Sequence, residues 1–474
     1  MIYGYAEMKI NKILFVRSSF YADNGKLLKA TKLLDRLTIK NLAEMGLPLL
    51  AAYTPPGIKC QMIDDCLEEL DFNSDAEVIA ISGWLLHANR MIEIAKEFKK
   101  RGKIVVAGGY AVTMHPELFT EYMDSICIGE GDKIWSQMIC DIESGTLKST
   151  YESDFTSPLS DIPVPRYDLI NNKRLFSLGV SYPVQATRGC PFKCDYCSII
   201  AFYQRTYRKR PVQDVVRDII AHGAKEMHFI DDNLMEDTQY AKELFREMKK
   251  IKRKITWGVQ ATINIAKDEE MLKLAYESGC RLVIIGLESI SQQSLNHVSK
   301  SWNKVTFFKS AVQKIQNAGI GVHALIIFGL PSDTKEIFHE SYKFLHDLNV
   351  VAAEFFILTP YPKTPLGQQY IKEGKIFDFD LSHYREPYVV FKHDTMSPKE
   401  IQDGYWHAYK EFYTMPRIIQ RIIRGNYKHK LMQFALNYYY WVKIKRKIVP
   451  THFQRGNYSF TKFPDVLKEN GYRV

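Results

Sequence analysis

The chain has 474 residues with a formal net charge of +10, 46% hydrophobic and 13% aromatic residues; that length predicts two or three domains of roughly 150 residues each, and the composition excludes a disordered, collagenous or low-complexity chain. No uncharged apolar run reaches the ~18 residues of a membrane span, and the start MIYGYAEMKINKILFV has charges inside its apolar run and no cleavage-like site. The eight cysteines form no disulfide framework, so a reducing, cytoplasmic compartment is expected.

Five short apolar runs come first: KILFV from Lys12, CQMID from Cys60, VIAIS from Val78, IVVAG from Ile104 and SICIG from Ser125. Helical patterns such as 88–101 lie between them, and this alternation predicts a doubly wound, Rossmann-like parallel sheet with ligands at the carboxyl ends of its strands. Those ends carry Gly108-Gly109 and Gly129-Glu130-Gly131, where missing side chains let a ligand approach the backbone. His87 and His115, single histidines near helix starts, read as structural. The stretch 151–165 (YESDFTSPLSDIPVP) has no periodicity and reads as a linker between a first domain at 1–150 and a second at 166–375.

The stretch ATRGCPFKCDYCSII from Ala186 holds Cys190, Cys194 and Cys197 in a CxxxCxxC array. A [4Fe–4S] cube usually takes four cysteines. Three on one loop leave an iron open, as catalytic metal sites keep a place for substrate and structural sites do not. A structural zinc site would need a fourth ligand at finger-like spacing, but His222, 25 residues beyond Cys197, has no HxxxH partner. Further strand candidates follow at 226–230, 256–260, 281–285, 322–328 and 354–358, at the spacing of successive βα units. With 183–186 they make six parallel strands of a partial barrel, whose chemistry sits at the carboxyl ends. Those ends carry Asp231-Asp232-Asn233, Gln260, Gly286-Leu287-Glu288-Ser289, Gly329-Leu330-Pro331 and Thr359-Pro360-Tyr361-Pro362. Asp231 or Asp232 also reads as a cap of the following helix.

The cysteine array, with Tyr196 before its third cysteine and the lead-in Thr187-Arg188-Gly189, resembles the signature of the radical S-adenosylmethionine (SAM) superfamily. The resemblance implies a partial (β/α)6 barrel whose three cysteines hold a [4Fe–4S] cluster. The open iron would bind SAM, and one electron would cleave it to methionine and a 5′-deoxyadenosyl radical. By the same resemblance Glu288 would accept hydrogen bonds from the SAM ribose or ammonium, Gln260 and Asp231 would face that cavity, and Tyr196 would help hold the adenine. The first domain is similar to the cobalamin-binding domain of one large subgroup, through its glycine pair, His115-Pro116-Glu117 and Gly-Glu-Gly. That likeness implies cobalamin beside Gly108, Gly109, Gly129 and Glu130. The subgroup's DxHxxG motif is missing after the first strand, where the chain reads RSSFYADNGK, so no protein histidine is expected on the lower face of cobalamin. Residues 376–474, with Tyr384, the VVF run from Val389 and the GYWHAYKEFY helix, resemble the mostly helical C-terminal extension of hopanoid methylase-like members.

In that extension Ser397 and Pro398 predict a helix start, as cap and first residue. Over 416–474, 13 Lys and Arg face 2 acidic residues and are interleaved with aromatics. The part at 416–449 reads equally as an amphipathic helix on an anionic membrane surface and as a helix packed on the barrel with a solvated basic face. No appended RNA-binding module is recognised, so nucleic acid is not an expected partner. The expected function is SAM-dependent radical chemistry in the cytoplasm, with peripheral contact at the inner face of the membrane. The reaction expected is cobalamin-dependent methylation of an unactivated carbon in a small-molecule or lipid substrate, fed by a flavodoxin- or ferredoxin-type reductant. Two alternatives stand beside it: a cobalamin-dependent cyclase or rearrangement enzyme without methyl transfer, and an iron–sulfur electron-transfer or sensor protein with no SAM cavity. A methylthiotransferase is disfavoured, because the N-terminal domain has no second cysteine triad.

Overall fold

Near-continuous apolar runs make strands that are buried on both faces, as parallel sheets require, and the KILFV run is one of them. In the computed structural model it lies within β1 (Lys12–Arg17), with Ile13, Leu14, Phe15 and Val16 fully buried. Residues 9–21, 26–29, 44–170, 181–223 and 225–448 are described; 449–474, the end of the expected extension, and 22–25 in the loop after β1 lie outside the described residues. The chain divides into two units, Met1–Pro183 with Phe202–Thr206, and Val184–Ala201 with Tyr207–Val474.

The first unit continues with α1 (Gly46–Tyr53), β2 (Lys59–Asp64), β3 (Val78–Ser82), α2 (Ala88–Lys99), β4 (Ile104–Gly108), α3 (Tyr110–Met114), β5 (Ser125–Ile128), α4 (Trp135–Glu143) and β6 (Thr150–Glu152). Its sheet has the order β2-β1-β3-β4-β5-β6, parallel throughout. All five expected strands are present. The sixth, β6, falls at the start of the stretch read as a linker, where Thr150–Glu152 pairs with β5 as an edge strand too short to show a pattern. Among the described residues its core gathers in apolar clusters, one around Leu14, Val16, Met91, Phe98 and Phe119, one around Phe15, Trp135, Met138 and Ile142, and a smaller one around Met45, Leu49, Leu159, Ile162 and Tyr167.

The second sheet runs β7 (Tyr182–Val184), β10 (Glu226–Phe229), β11 (Thr256–Ala261), β12 (Cys280–Glu288), β13 (Gly321–Phe328) and β14 (Ala352–Ile357), neighbours in chain order. Between β7 and β10 stand a two-stranded antiparallel ribbon, β8 (Thr187–Gly189) with β9 (Tyr207–Lys209), and the helices α5 (Ser198–Phe202) and α6 (Val212–His222). Helices α7 (Thr238–Lys249), α8 (Glu269–Glu277), α9 (Gln292–His297), α10 (Val305–Asn317) and α11 (Glu336–Asp347) alternate with the remaining strands, giving an open, partial (β/α)6 barrel.

An open barrel leaves β14 as an edge with unpaired backbone groups. The chain continues through α12 (Pro365–Lys372) to α13 (Pro398–Phe412), which covers that edge. Ser397 and Glu400 form the capping box, with Pro398 at the first position as expected. The aromatic run then has a specific use. Tyr409 Oη lies 3.0 Å from Phe355 N and 3.1 Å from Phe355 O, and Tyr413 Oη lies 3.0 Å from Ala353 N and 2.7 Å from Ala353 O. Each hydroxyl accepts from one strand amide and donates to the carbonyl of the same residue, as a neighbouring strand would. Two helices follow, α14 (Met415–Arg424) and α15 (Lys430–Lys445).

Candidate active site

β8 leads into the cysteine loop, and buried groups fix its approach. Asp231, just past β10, accepts from Ala186 N (3.1 Å), from Thr187 Oγ1 (2.7 Å) and from the Thr187 amide. On the other side Arg210 donates from its own amide to Ala186 O (2.9 Å) and from Nη1 to Gln185 O (2.9 Å), while Nη2 pairs with Asp218 at 2.8 Å. The structure therefore places Asp231 behind the lead-in as a backbone-holding carboxylate. The helix after it, α7, is capped by Asp237, which accepts from Tyr240 N at 3.0 Å, so neither Asp231 nor Asp232 has the capping role the sequence allowed. Burial pushes Asp231 up to about 6, against the pull of the Thr187 and Ala186 donors; burial and then the charge of Asp231 push Asp232 up to about 7.

The loop itself is tied down at several points. Cys197 N donates to Cys194 O (3.0 Å), Asp195 N to Val298 O (3.3 Å) and Leu366 N to Asp195 O (3.0 Å), and Phe192 stacks on Trp302 with ring centroids 4.0 Å apart. Burial pushes the Cys194 thiol up to about 11 and the Cys197 thiol up to about 12, and in Cys197 the neighbouring Cys194 and Cys190 push further in the same direction. Three buried thiols held together on one anchored loop, each pushed away from ionisation by its surroundings, fit a group that brings positive charge to all of them. An iron–sulfur cluster does this, and Asn233 Nδ2, 4.0 Å from Cys190 Sγ, is placed as a donor to its sulfur ligand. Among the described residues no three His, Cys, Asp or Glu side chains are grouped to hold a single metal ion; the cysteines of a cube instead bind separate irons.

Glu288 ends β12 with a φ of +66°, a left-handed conformation that costs a residue with a Cβ about 1–2 kcal/mol. Its carboxylate folds back over Gly286, where a Cβ would stand 2.1 Å from Glu288 Oε1 and displace the carboxylate. What holds this arrangement is Lys300. Buried, it donates from Nζ to Glu288 Oε1 (2.7 Å), to Gly286 O (3.1 Å) and to the Tyr196 hydroxyl (3.4 Å). Burial pulls the ammonium down, but the Glu288 charge and the thiols outweigh it and hold Lys300 above the usual lysine value. Burial, then Glu288, push the Tyr196 hydroxyl well above its ordinary value. Asn303 Nδ2 holds the carbonyls of Gly286 (3.3 Å) and Leu287 (3.0 Å) from the same segment.

The cysteine loop, Tyr196, Glu288 and Lys300 are thus brought together in one polar cluster. Gln260 lies exposed on β11, opposite Ile284 of β12. Sequence reasoning missed Lys300: it lies beyond α9, away from any strand end, and no periodicity links it to Glu288.

In the first unit, Gly108 ends β4, and Gly109 and Gly129 follow β4 and β5 as expected, with φ of +87° and +94° for the last two. Local packing already requires both: a Cβ on Gly109 would lie 2.5 Å from Ser82 Oγ, and one on Gly129 2.5 Å from Ser153 Oγ. Glu130 is buried and donates its amide to Ser153 Oγ (2.5 Å). His87 accepts at Nδ1 from Trp84 N (2.9 Å), and His115 Nδ1 lies 2.8 Å from Glu117, structural positions for both histidines.

Residues 184–345 match the profile of the radical SAM superfamily. The chain carries a radical SAM domain. Such a domain works with a [4Fe–4S] cluster and SAM, and Cys190, Cys194 and Cys197 lie within the matched residues. Over a longer stretch that includes this domain, the chain is 29% identical over 401 residues to the bacteriochlorophyllide d C-8(2)-methyltransferase of Chlorobaculum tepidum, covering 81% of this chain and 88% of that one. It is 25% identical over 349 residues to the hopanoid C-2 methylase of Rhodopseudomonas palustris, covering 71% and 65%. Among solved structures, the radical SAM methyltransferase TsrM from Kitasatospora setae, with cobalamin and a [4Fe–4S] cluster bound, superposes with a TM-score of 0.61 at 16% identity, covering 84% and 82%.

Proposed function

We propose that this radical SAM protein is a cobalamin-dependent C-methyltransferase that acts on an unactivated carbon of a small-molecule or lipid substrate. The observation that carries the reading is the likeness to a methyltransferase along 81% of the chain. The residues from 184 onward, less the short 202–206 segment, are about three-fifths of the chain, so the likeness extends into the first unit. The bound cobalamin of the TsrM structure supports the same reading for the first unit.

When bound, a cluster held by Cys190, Cys194 and Cys197 would supply the electron for SAM cleavage, and a cobalamin would supply methyl-carrier chemistry. The chain's own residues bind and orient. Lys300 and Glu288 present an ammonium beside a carboxylate, the complement of the carboxylate and ammonium of SAM's methionine part. Tyr196, held at the Lys300 ammonium, packs beside the adenosine. Gly108, Gly109, Gly129 and Glu130 line the carboxyl ends of the first sheet, where cobalamin approaches. Asp231 and Arg210 keep the lead-in, and therefore the three thiols, in one geometry. A flavodoxin- or ferredoxin-type protein delivers the electron.

The test is anaerobic purification from cells supplied with cobalamin, followed by extraction and incubation of the holoenzyme with methyl-labelled SAM and a reductant. The reading expects stoichiometric cobalamin and label transferred to it. A chain that carries cobalamin and cleaves SAM but produces no S-adenosylhomocysteine would sink methyl transfer and leave a cobalamin-dependent cyclase or rearrangement enzyme.

A further inference from the structure

The hairpin of α14 and α15 turns its polar side inward. In α15 the buried positions are Gln433, Asn437, Tyr440, Lys443 and Ile444, whereas Leu431 is 84% exposed, Phe434 39% and Tyr438 47%. These three, at i, i+3 and i+7, share one helix face, which continues to the half-buried Trp441 at i+10. In α14 Ile418 and Arg421 are fully buried, and Arg421 donates from Nη1 to Phe412 O and from Nη2 to Asn437 Oδ1, each at 2.7 Å, while Ile419 is 47% exposed and Ile423 75%. A helix on a water-facing surface puts its apolar stripe toward the core. Here both helices put a large part of it outside.

We propose that this hairpin docks on an anionic membrane surface, with Ile419, Ile423, Leu431, Phe434 and Tyr438 set into the lipid headgroup layer. The charge pattern selects that occupant. Residues 415–448 contain nine Lys and Arg and no Asp or Glu. Arg424, Lys428, Lys445, Arg446 and Lys447 are exposed and stand at the two ends of the stripe, with Lys445 Nζ 5.7 Å from the Trp441 ring centroid. Cations around apolar side chains, with Tyr and Trp between them, are what an interfacial helix presents to acidic lipid. A second copy of the chain would set this cationic surface against itself, which like-charge repulsion opposes. The stripe from Leu431 to Trp441 is about 15 Å long at 1.5 Å per residue, enough to lie on a bilayer and too short to cross it. Among the described residues no helix is long and apolar enough to cross. Docking here is independent of the methyl-transfer reading; it gives the barrel access to substrates that partition into lipid.

The test uses the anaerobically purified, cluster-loaded full chain, sedimented with phosphatidylcholine vesicles with and without phosphatidylglycerol. The chain should sediment with the anionic vesicles at low salt and be released by salt. The double variant Ile423→Glu/Leu431→Glu, at two positions exposed enough to leave the fold alone, should bind roughly tenfold more weakly or worse. The triple variant Lys445→Gln/Arg446→Gln/Lys447→Gln should weaken binding several-fold and flatten the salt dependence. A chain ending at Ile448 should still bind. Failure of the full chain to sediment at low salt overturns the proposal, as does equal sedimentation by the double variant with an unchanged melting curve. Loss of binding on ending the chain at Ile448 would move the contact to the residues beyond. A dimer in solution that the double variant splits, without vesicle binding, would give the face to a second copy.

Discussion

Lys300→Met keeps most of the side-chain volume and deletes the ammonium, which leaves the Glu288 carboxylate with only 11% of its side chain exposed and no cation at 2.7 Å. Removing one partner of a buried ion pair costs about 3–5 kcal/mol. The residual exposure of Glu288, which lets water reach one side, puts the expected loss near the lower end, about 3 kcal/mol. Glu288→Gln is milder, because its amide oxygen still accepts from Lys300 and Gly286 O still takes a second donation (3.1 Å); about 1.5–3 kcal/mol is lost with the charged bond. The double variant should cost less than the two singles added, since the second substitution removes a charge that the first has already left unpaired. Urea unfolding of the cluster-loaded chain under anaerobic conditions measures these losses, and equilibrium binding of SAM to the same samples should weaken about tenfold or more for each single variant, as 1.4 kcal/mol is tenfold. Additive costs would refute the claim that Lys300 and Glu288 act as a unit. Unchanged SAM affinity would reduce both to supports of the β12 end.

Three further outcomes are expected. Replacing Cys190, Cys194 or Cys197 by Ala should abolish cluster absorbance and SAM cleavage together, and a triple variant that keeps both would remove the cluster assignment. Tyr409→Phe and Tyr413→Phe should each cost about 1–3 kcal/mol in denaturant unfolding, by stranding the buried N–H and C=O of Phe355 or Ala353, while leaving the cluster spectrum intact; a cost near zero would mean that the edge of β14 is satisfied another way. His383 Nδ1 sits 2.7 Å from Asp378, and although burial pulls the imidazole down, Asp378 raises it above 6.5 overall. The folded state then binds the proton more tightly than the unfolded one. This stabilisation should be complete below pH about 6.5 and be lost as pH rises through the raised value. In His383→Gln the loss over that window should vanish, as read by unfolding at a series of pH values.

The strands were legible because parallel strands buried on both faces leave runs such as KILFV and VIAIS that no other element explains, and five of the six strands in the first sheet and all six in the second could be placed. β6 escaped because three residues at an edge carry no pattern. The cysteine loop was legible from spacing alone, since cluster ligands come from one short segment. Glu288 could be singled out at a strand end, but its charge partner Lys300 could not, because the contact is made by the segment after α9 folding back on the cysteine loop. Asp231 shows the converse: its strand-end position suggested a cavity-facing role, and only the folded chain brings Ala186 and Thr187 to its oxygens. The tail's basic, aromatic composition was plain, yet which face of α15 looks outward depends on the buried Arg421–Asn437 contact, a pairing between two helices that periodicity would have assigned the other way.

The central claim is radical SAM chemistry coupled to methyl transfer, and one reaction tests it most directly. The anaerobic, cluster- and cobalamin-loaded chain is incubated with SAM, a reductant and a lipid extract of the source cells, and the SAM-derived products are quantified. The account predicts methionine with 5′-deoxyadenosine from one SAM and S-adenosylhomocysteine from another, in equal amounts and both dependent on the three cysteines. Absence of 5′-deoxyadenosine from a chain that holds an intact, reducible cluster would contradict it.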